Sequence, residues 1–253
     1  MKRLLLLALT TFFTGSAMAV TLSPSDMSRV GRMVWQNESG GTVEGLVAWN
    51  RGEAFPSLGI GHFIWYPAGK KGPFDESFPR LVQRLVKGGV KVPNWAQGPA
   101  PWQTREEMER DRERVQALRS LLGEPAALRV QTEFLIERLE ASLPKMLATL
   151  GSNTKAKEQV KRRFEALTGS VPGCFALIDY VNFKGEGVLQ SERYKGEGWG
   201  LLQVLVGMKG ETVADFSQSA QRVLRRRVEN SPKSRGEARW LPGWLARVQR
   251  YVP

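Results

Sequence analysis

The chain has 253 residues, of which 42% are hydrophobic and eight are tryptophan, and it carries a formal net charge of +12. That apolar content excludes a disordered chain, and the length allows one sizeable domain or a domain of two lobes. A single cysteine, Cys174, excludes an internal disulfide, so stability must come from the core.

The first residues, MKRLLLLALTTFFTGSAMA, have the form of a secretory signal peptide. Lys2 and Arg3 give the positive start, Leu4 to Phe13 the apolar middle, and Ala17-Met18-Ala19 the small-x-small cleavage site. The apolar middle is too short to span a bilayer comfortably. A retained N-terminal anchor is the alternative. We expect a periplasmic or secreted chain that begins near Val20, and the lack of a disulfide network favours the periplasm. Without Lys2 and Arg3 the net charge falls by two, to +10, which still favours polyanionic partners such as an anionic cell-wall polymer. Export argues against nucleic acid.

Ser23-Pro24-Ser25-Asp26 predicts a helix start, with Ser23 as N-cap, Pro24 at the first helical position and Asp26 in the first turn. Met27, Val30, Met33 and Val34 share one face, and Gly40-Gly41 stops the helix. Glu38, within WQNESGG, is therefore expected at or just past the helix end. The stretch VEGLVAWNRGEAFPSLGIGHFIWY reads as a β-hairpin or small meander. Leu46–Trp49 and Leu58–Tyr66 are strand-like, and Asn50-Arg51-Gly52 is the turn. Gly59 and Gly61 weaken a strand unless a backbone or ligand approaches closely there.

Residues 67–103 form a connector rich in proline and glycine, with a short helix at Pro79–Val86. Thr104–Glu107 is a capping box that opens a helix to about Leu122, ended by Gly123. Further helices are predicted at about Pro125–Leu150, bent at Pro144, and at Lys155–Leu167. Pro172 opens a buried apolar helix, PGCFALIDYVNF. After a glycine-rich stretch, helices follow near Leu201–Met208 and Val213–Glu229, and the tail RWLPGWLARVQRYVP is aromatic and basic. The expected fold is α+β, mainly α. One domain spans 20–253, with helix and hairpin in 20–66, the connector in 67–103 and a helical body in 104–253, and strand confined to one place.

A glutamate that protonates a glycosidic oxygen must hold its proton near neutral pH, and apolar surroundings achieve this by penalising the charged form. Glu38 has Trp35 one turn before it and the aromatic hairpin after it, and the helix C-terminus pushes in the same direction. Taken alone, Glu38 also reads as a solvated residue at a frayed helix end.

A helix ending in Glu38, followed at once by strands ending in Gly59-Ile60-Gly61-His62, resembles the lysozyme-like superfamily, most closely its phage-type lysozymes. There a catalytic Glu closes the first long helix, and a hairpin ending in Gly-x-Gly-His walls the sugar cleft. Asn37-Glu38-Ser39 is similar to the Glu-Ser pair of lytic transglycosylases, and Gly200–Val204, GLLQV, to their Gly-Leu-Met-Gln motif. ALIDYVNFKG, Ala176–Gly185, is similar to the buried Ala-Leu helix of phage-type lysozymes that ends in Asn and Gly. The resemblance covers Ser23–Tyr66, with a fainter echo at 173–204. It implies a lysozyme-like fold and an exported glycosidase or lytic transglycosylase. Such an enzyme cleaves peptidoglycan or a related glycan, with Glu38 as general acid and no cofactor. Two departures stand out. Arg51 occupies the place of the family's hairpin Asp, eleven residues before the motif His, and Glu44-Gly45-Leu46 offers a rival alignment after the helix stop.

Glu53, two residues beyond Arg51, is the candidate second carboxylate, to orient water or stabilise charge on the sugar ring; a solvent-facing turn residue is its alternative. Ser57 is a candidate partner of the attacking water, or a plain strand-start residue. His62 is expected at the cleft wall, where the resemblance gives it a hairpin-supporting hydrogen bond. Trp49, Trp65, Tyr66 and Trp199 are candidate sugar-stacking platforms, each with a core position as alternative. Gln203 is a candidate cleft hydrogen-bonder. One His and one Cys argue against metal sites built on those ligands. Two rival readings remain: a scaffold that binds cell-wall glycan or a protein partner without turnover, and an exported nucleic-acid binder resting on charge alone.

Overall fold

The structure, a computed structural model, describes Val20 and residues 22–253; the signal-peptide expectation lies outside the described residues. Helix α1 (Pro24–Ser39) starts as its sequence dictates, with the Asp26 amide donating to Ser23 Oγ. It ends at Gly40, whose φ of 65° only glycine adopts readily. Glu38 is thus in the last turn of the helix, not beyond it. Gly31 lets α1 approach a later helix so closely that a Cβ would collide with Thr132.

The hairpin region is a three-stranded antiparallel meander of very short strands: β1 (Val47–Ala48), β2 (Ser57–Leu58) and β3 (Phe63–Ile64). Val47 pairs with Leu58, and Leu58 with Phe63. Strands this short are held by side chains rather than by ladder bonds. Leu58, Phe63 and Trp65 are fully buried, each contributing roughly 1.5–3 kcal/mol. The expected long strand Leu58–Tyr66 is corrected, because Gly59–His62 forms the turn between β2 and β3, closed by the His62 amide donating to Gly59 O.

In the connector, α2 (Phe78–Lys87) extends the predicted helix by a residue at each end. The single helix expected from Thr104 to Leu122 is broken into α3 (Arg105–Arg110) and α4 (Arg112–Gly123). The cause is Asp111, whose carboxylate caps the Arg114 amide and accepts from Trp102 Nε1 at 2.9 Å. Helix α5 (Pro125–Thr149) carries Pro144 without ending; α6 (Thr154–Thr168) and the apolar α7 (Val171–Lys184) follow. The expectation of strand in one place is corrected, because a second sheet forms inside the glycine-rich stretch: β4 (Arg193–Tyr194) pairs with β5 (Glu197–Gly198). Helices α8 (Leu201–Gly207) and α9 (Val213–Asn230) match expectation, and the aromatic tail folds as α10 (Leu241–Gln249).

The fold is α+β and mainly α. Its buried residues form one continuous core from Val30 to Tyr251. Helix α7 runs through that core, packed against α1, α5, α6, α8 and α9. No helix among the described residues is long and apolar enough to cross a membrane.

Candidate active site

The glycines of Gly59–His62 explain the site's shape. Gly59 has φ 71°, and a Cβ there would collide with Gln131 Oε1, which accepts the Ile60 amide at 2.9 Å. Gln131 is fully buried on α5 and spends its Nε2 on Leu122 O and Ala127 O, so it staples the turn to the helical body. A Cβ on Gly61 would strike Phe63 and Leu135. His62 follows at φ 48°, a left-handed conformation that costs a non-glycine residue free energy. That conformation delivers its Nδ1 to within 3.3 Å of Glu38 Oε2.

Glu38 is enclosed, with its side chain only 10% exposed. Besides His62 it meets two residues from distant parts of the chain. Asn182 Nδ2, on α7, donates to Glu38 Oε1 at 3.2 Å and to Gly61 O at 2.9 Å, so it ties the helix end to the turn. Arg247 Nη2, on α10, donates to Glu38 Oε1 at 2.5 Å. Arg247 is itself anchored on the fully buried Asp179, with Nε to Oδ2 at 2.8 Å and Nη2 to Oδ1 at 2.7 Å. Tyr251 adds a third hydrogen bond to that carboxylate, its hydroxyl donating to Oδ2 at 2.6 Å.

Two carboxylates therefore share one guanidinium. Glu38, Asp179 and Arg247 together carry one surplus negative charge. Burial pushes the Glu38 carboxyl up, but the His62 hydrogen bond and the Arg247 charge outweigh it and hold the group at about 2. This corrects the expectation of a glutamate kept protonated by apolar surroundings: a cation reaches it from the far end of the chain. His62 Nε2, shielded from solvent, has no hydrogen-bond partner within the protein.

The other predicted residues do not join Glu38. Glu53 is exposed, accepts from Asn50 Nδ2 at 3.1 Å, and faces a separate cleft of about 460 Å³ shared with Lys70, Gln103 and Arg105. Ser57 is buried in the central strand and is not among Glu38's partners, so the role of a water-holding hydroxyl there is corrected. Glu44, the rival acid, is exposed on a single 3-10 turn.

The aromatic residues are core, not platforms. Trp65 is fully buried between Phe78 and Trp102 and donates to Gly98 O. Trp49 is 6% exposed and donates to Glu53 O. Tyr66 packs edge-on against Phe55. Trp199 lies under Arg227, whose Cζ is 4.1 Å from the ring centre. Gln203 is a helix cap: it accepts from the Gly200 amide and donates to Gly187 O.

Three residues of the site escaped the sequence reading: Asp179, Asn182 and Arg247. Asp179 did leave a signal, as a lone carboxylate in the apolar run CFALIDYV, where a buried charge demands a cation. Asn182 lies in the segment compared with phage-type lysozymes, but Arg247, 209 residues from Glu38, left no local trace.

Beside the clamp, Lys184 Nζ sits 3.8 Å from the Phe183 ring centre and 3.5 Å from that of Trp244. Burial, aided by Arg227, pushes this ammonium down to about 6, against the attraction of two ring faces for the charged form. No group of three His, Cys, Asp or Glu side chains among the described residues is arranged to hold a metal ion. Comparison of the chain with protein families, with curated proteins and with solved structures finds no match.

Proposed function

We propose that the protein is an exported glycan-cleaving enzyme, a glycosidase or lytic transglycosylase acting on peptidoglycan, with Glu38 as its acid. The observation that carries this reading is the enclosure of Glu38 between its helix end and the Gly59–His62 turn, fixed by Asn182 bridging the two. That turn is the element which the resemblance places beside the sugar cleft.

Glu38 needs a proton before it can give one. Arg247 keeps two hydrogen bonds to Asp179 when Glu38 lets go, so losing the Glu38 contact does not leave a buried cation unpaired. A glycan chain laid over the site excludes water, which strengthens the burial effect that already favours the neutral acid. The nature of the product, reducing or anhydro, depends on what activates the second step, and Glu53 is not placed beside Glu38 to do so.

Incubation of the protein with purified insoluble peptidoglycan, followed by mass spectrometry of the soluble fraction, tests the proposal. Release of disaccharide-peptide fragments is expected. One observation favours a second reading, a cell-wall binder without turnover: the free protein holds Glu38 ionised, with Arg51 in place of the hairpin acid. Sedimentation with peptidoglycan but no fragments after prolonged incubation would select that reading.

A further inference from the structure

A row of aromatic rings leads outward from the Glu38 clamp, and neither the proposed cleavage nor the core accounts for its outer end. Phe183 follows Asn182 and lies under Arg247, whose Cζ is 4.4 Å from the ring centre. Trp244, half-buried and one turn before Arg247 on α10, meets Phe183 edge-on with centres 6.3 Å apart. Trp240 comes next, 6.1 Å from Trp244 and tilted by 33°, and it is 43% exposed. Basic side chains interleave with the rings. Lys184 sits over Phe183 and Trp244, and exposed Arg239 lies with its Cζ 4.5 Å from the Trp240 ring centre.

A lone exposed tryptophan is ordinary, but Trp240 ends a continuous row of rings and carries a guanidinium on its face. The occupant must offer flat apolar faces to the rings and negative charge to the cations. Sugar rings bearing carboxylates do both: their C–H faces pack on aromatic rings, and their carboxylates pair with guanidinium groups. The row is continuous with the Glu38 clamp through Phe183 and Arg247, so a polymer bound there can run on into that site.

We infer that the Phe183–Trp244–Trp240 row with Arg239 is a binding track for an anionic glycan strand. The inference deepens the glycan-cleaving reading and rests on it for the identity of the polymer.

The test uses the full chain carrying E38Q, so that the polymer stays intact, in sedimentation with three probes: insoluble peptidoglycan, neutral chitin, and vesicles of phosphatidylglycerol. Peptidoglycan should bind best, more weakly as salt rises, and W240A should weaken it at least tenfold without changing the melting curve. R239Q should weaken it about threefold and reduce its salt dependence. Unchanged binding by W240A, equal binding to chitin, or preference for the vesicles would each overturn the track. Fragment release by the wild-type chain with W240A-independent binding removes the track alone. Binding that requires Trp240 without any fragment release removes the cleavage alone.

Discussion

Glu38 and Glu53 are only fifteen residues apart in the chain, yet they are chemically unlike. Glu38 is walled in by a helix end, a glycine turn, α7 and α10, with three partners from three parts of the chain. Glu53 sits at an exposed turn, and its carboxylate bonds only the nearby Asn50. The difference teaches that a carboxylate becomes special through what encloses it. Burial alone raises a carboxyl; burial beside a cation lowers it, and here the cation wins.

The largest expected effect breaks the enclosure at its base. D179A strips Arg247 of the two hydrogen bonds that anchor it and of one of its two carboxylates, and leaves the buried Tyr251 hydroxyl without its acceptor, a loss of about 3–5 kcal/mol in urea unfolding. A loss under about 1 kcal/mol would mean that Arg247 is not held as a buried ion, and the contrast with Glu53 would shrink.

A pH titration of stability sharpens the same contrast. Glu38 is held at about 2 when folded against an ordinary 4.5, so its contribution is complete above 4.5 and is lost as pH falls toward 2. At about 1.4 kcal/mol per pH unit the loss is on the order of 3 kcal/mol. E38Q should lack this limb of the stability curve, whereas E53Q should retain it. Identical acid limbs in wild type and E38Q would remove the ion pair from the account.

Q131L tests the wall. It strands the buried Ile60 amide and Leu122 carbonyl, at a cost of roughly 1–3 kcal/mol by thermal or urea unfolding. The smallest effect belongs to the exposed partner in the comparison: E53Q should change stability by less than about 0.5 kcal/mol and leave peptidoglycan clearing intact. Lost clearing in E53Q would make Glu53 part of the chemistry.

The same contrast explains what the sequence disclosed. Local signals were legible: Ser23 capping α1, Gly40 ending it, the apolar face of α1 and the apolar run of α7. Gly59 and Gly61 announced a close approach, though only the structure identifies Gln131 as the group that approaches. Asp111 breaking a helix was hidden because Trp102, nine residues earlier, supplies the other half of its environment. Arg247 was hidden for a stronger reason. A guanidinium in a basic tail looks like any solvated cation until folding packs α10 on α9 and carries Arg247 to Asp179 and Glu38. The aromatic residues erred in the opposite direction: Trp49, Trp65, Tyr66 and Trp199 lie near the candidate motifs in sequence but serve the core, while Trp240 and Trp244 in the tail lead to Glu38.

The most direct measurement is the turbidity of a purified peptidoglycan suspension exposed to the wild-type chain and to E38Q, matched for folded content by circular dichroism. Clearing by wild type and none by E38Q is the expected result, since the amide cannot supply the proton. Clearing at the wild-type rate by E38Q would contradict the account, for the enclosed carboxyl would then be structural only.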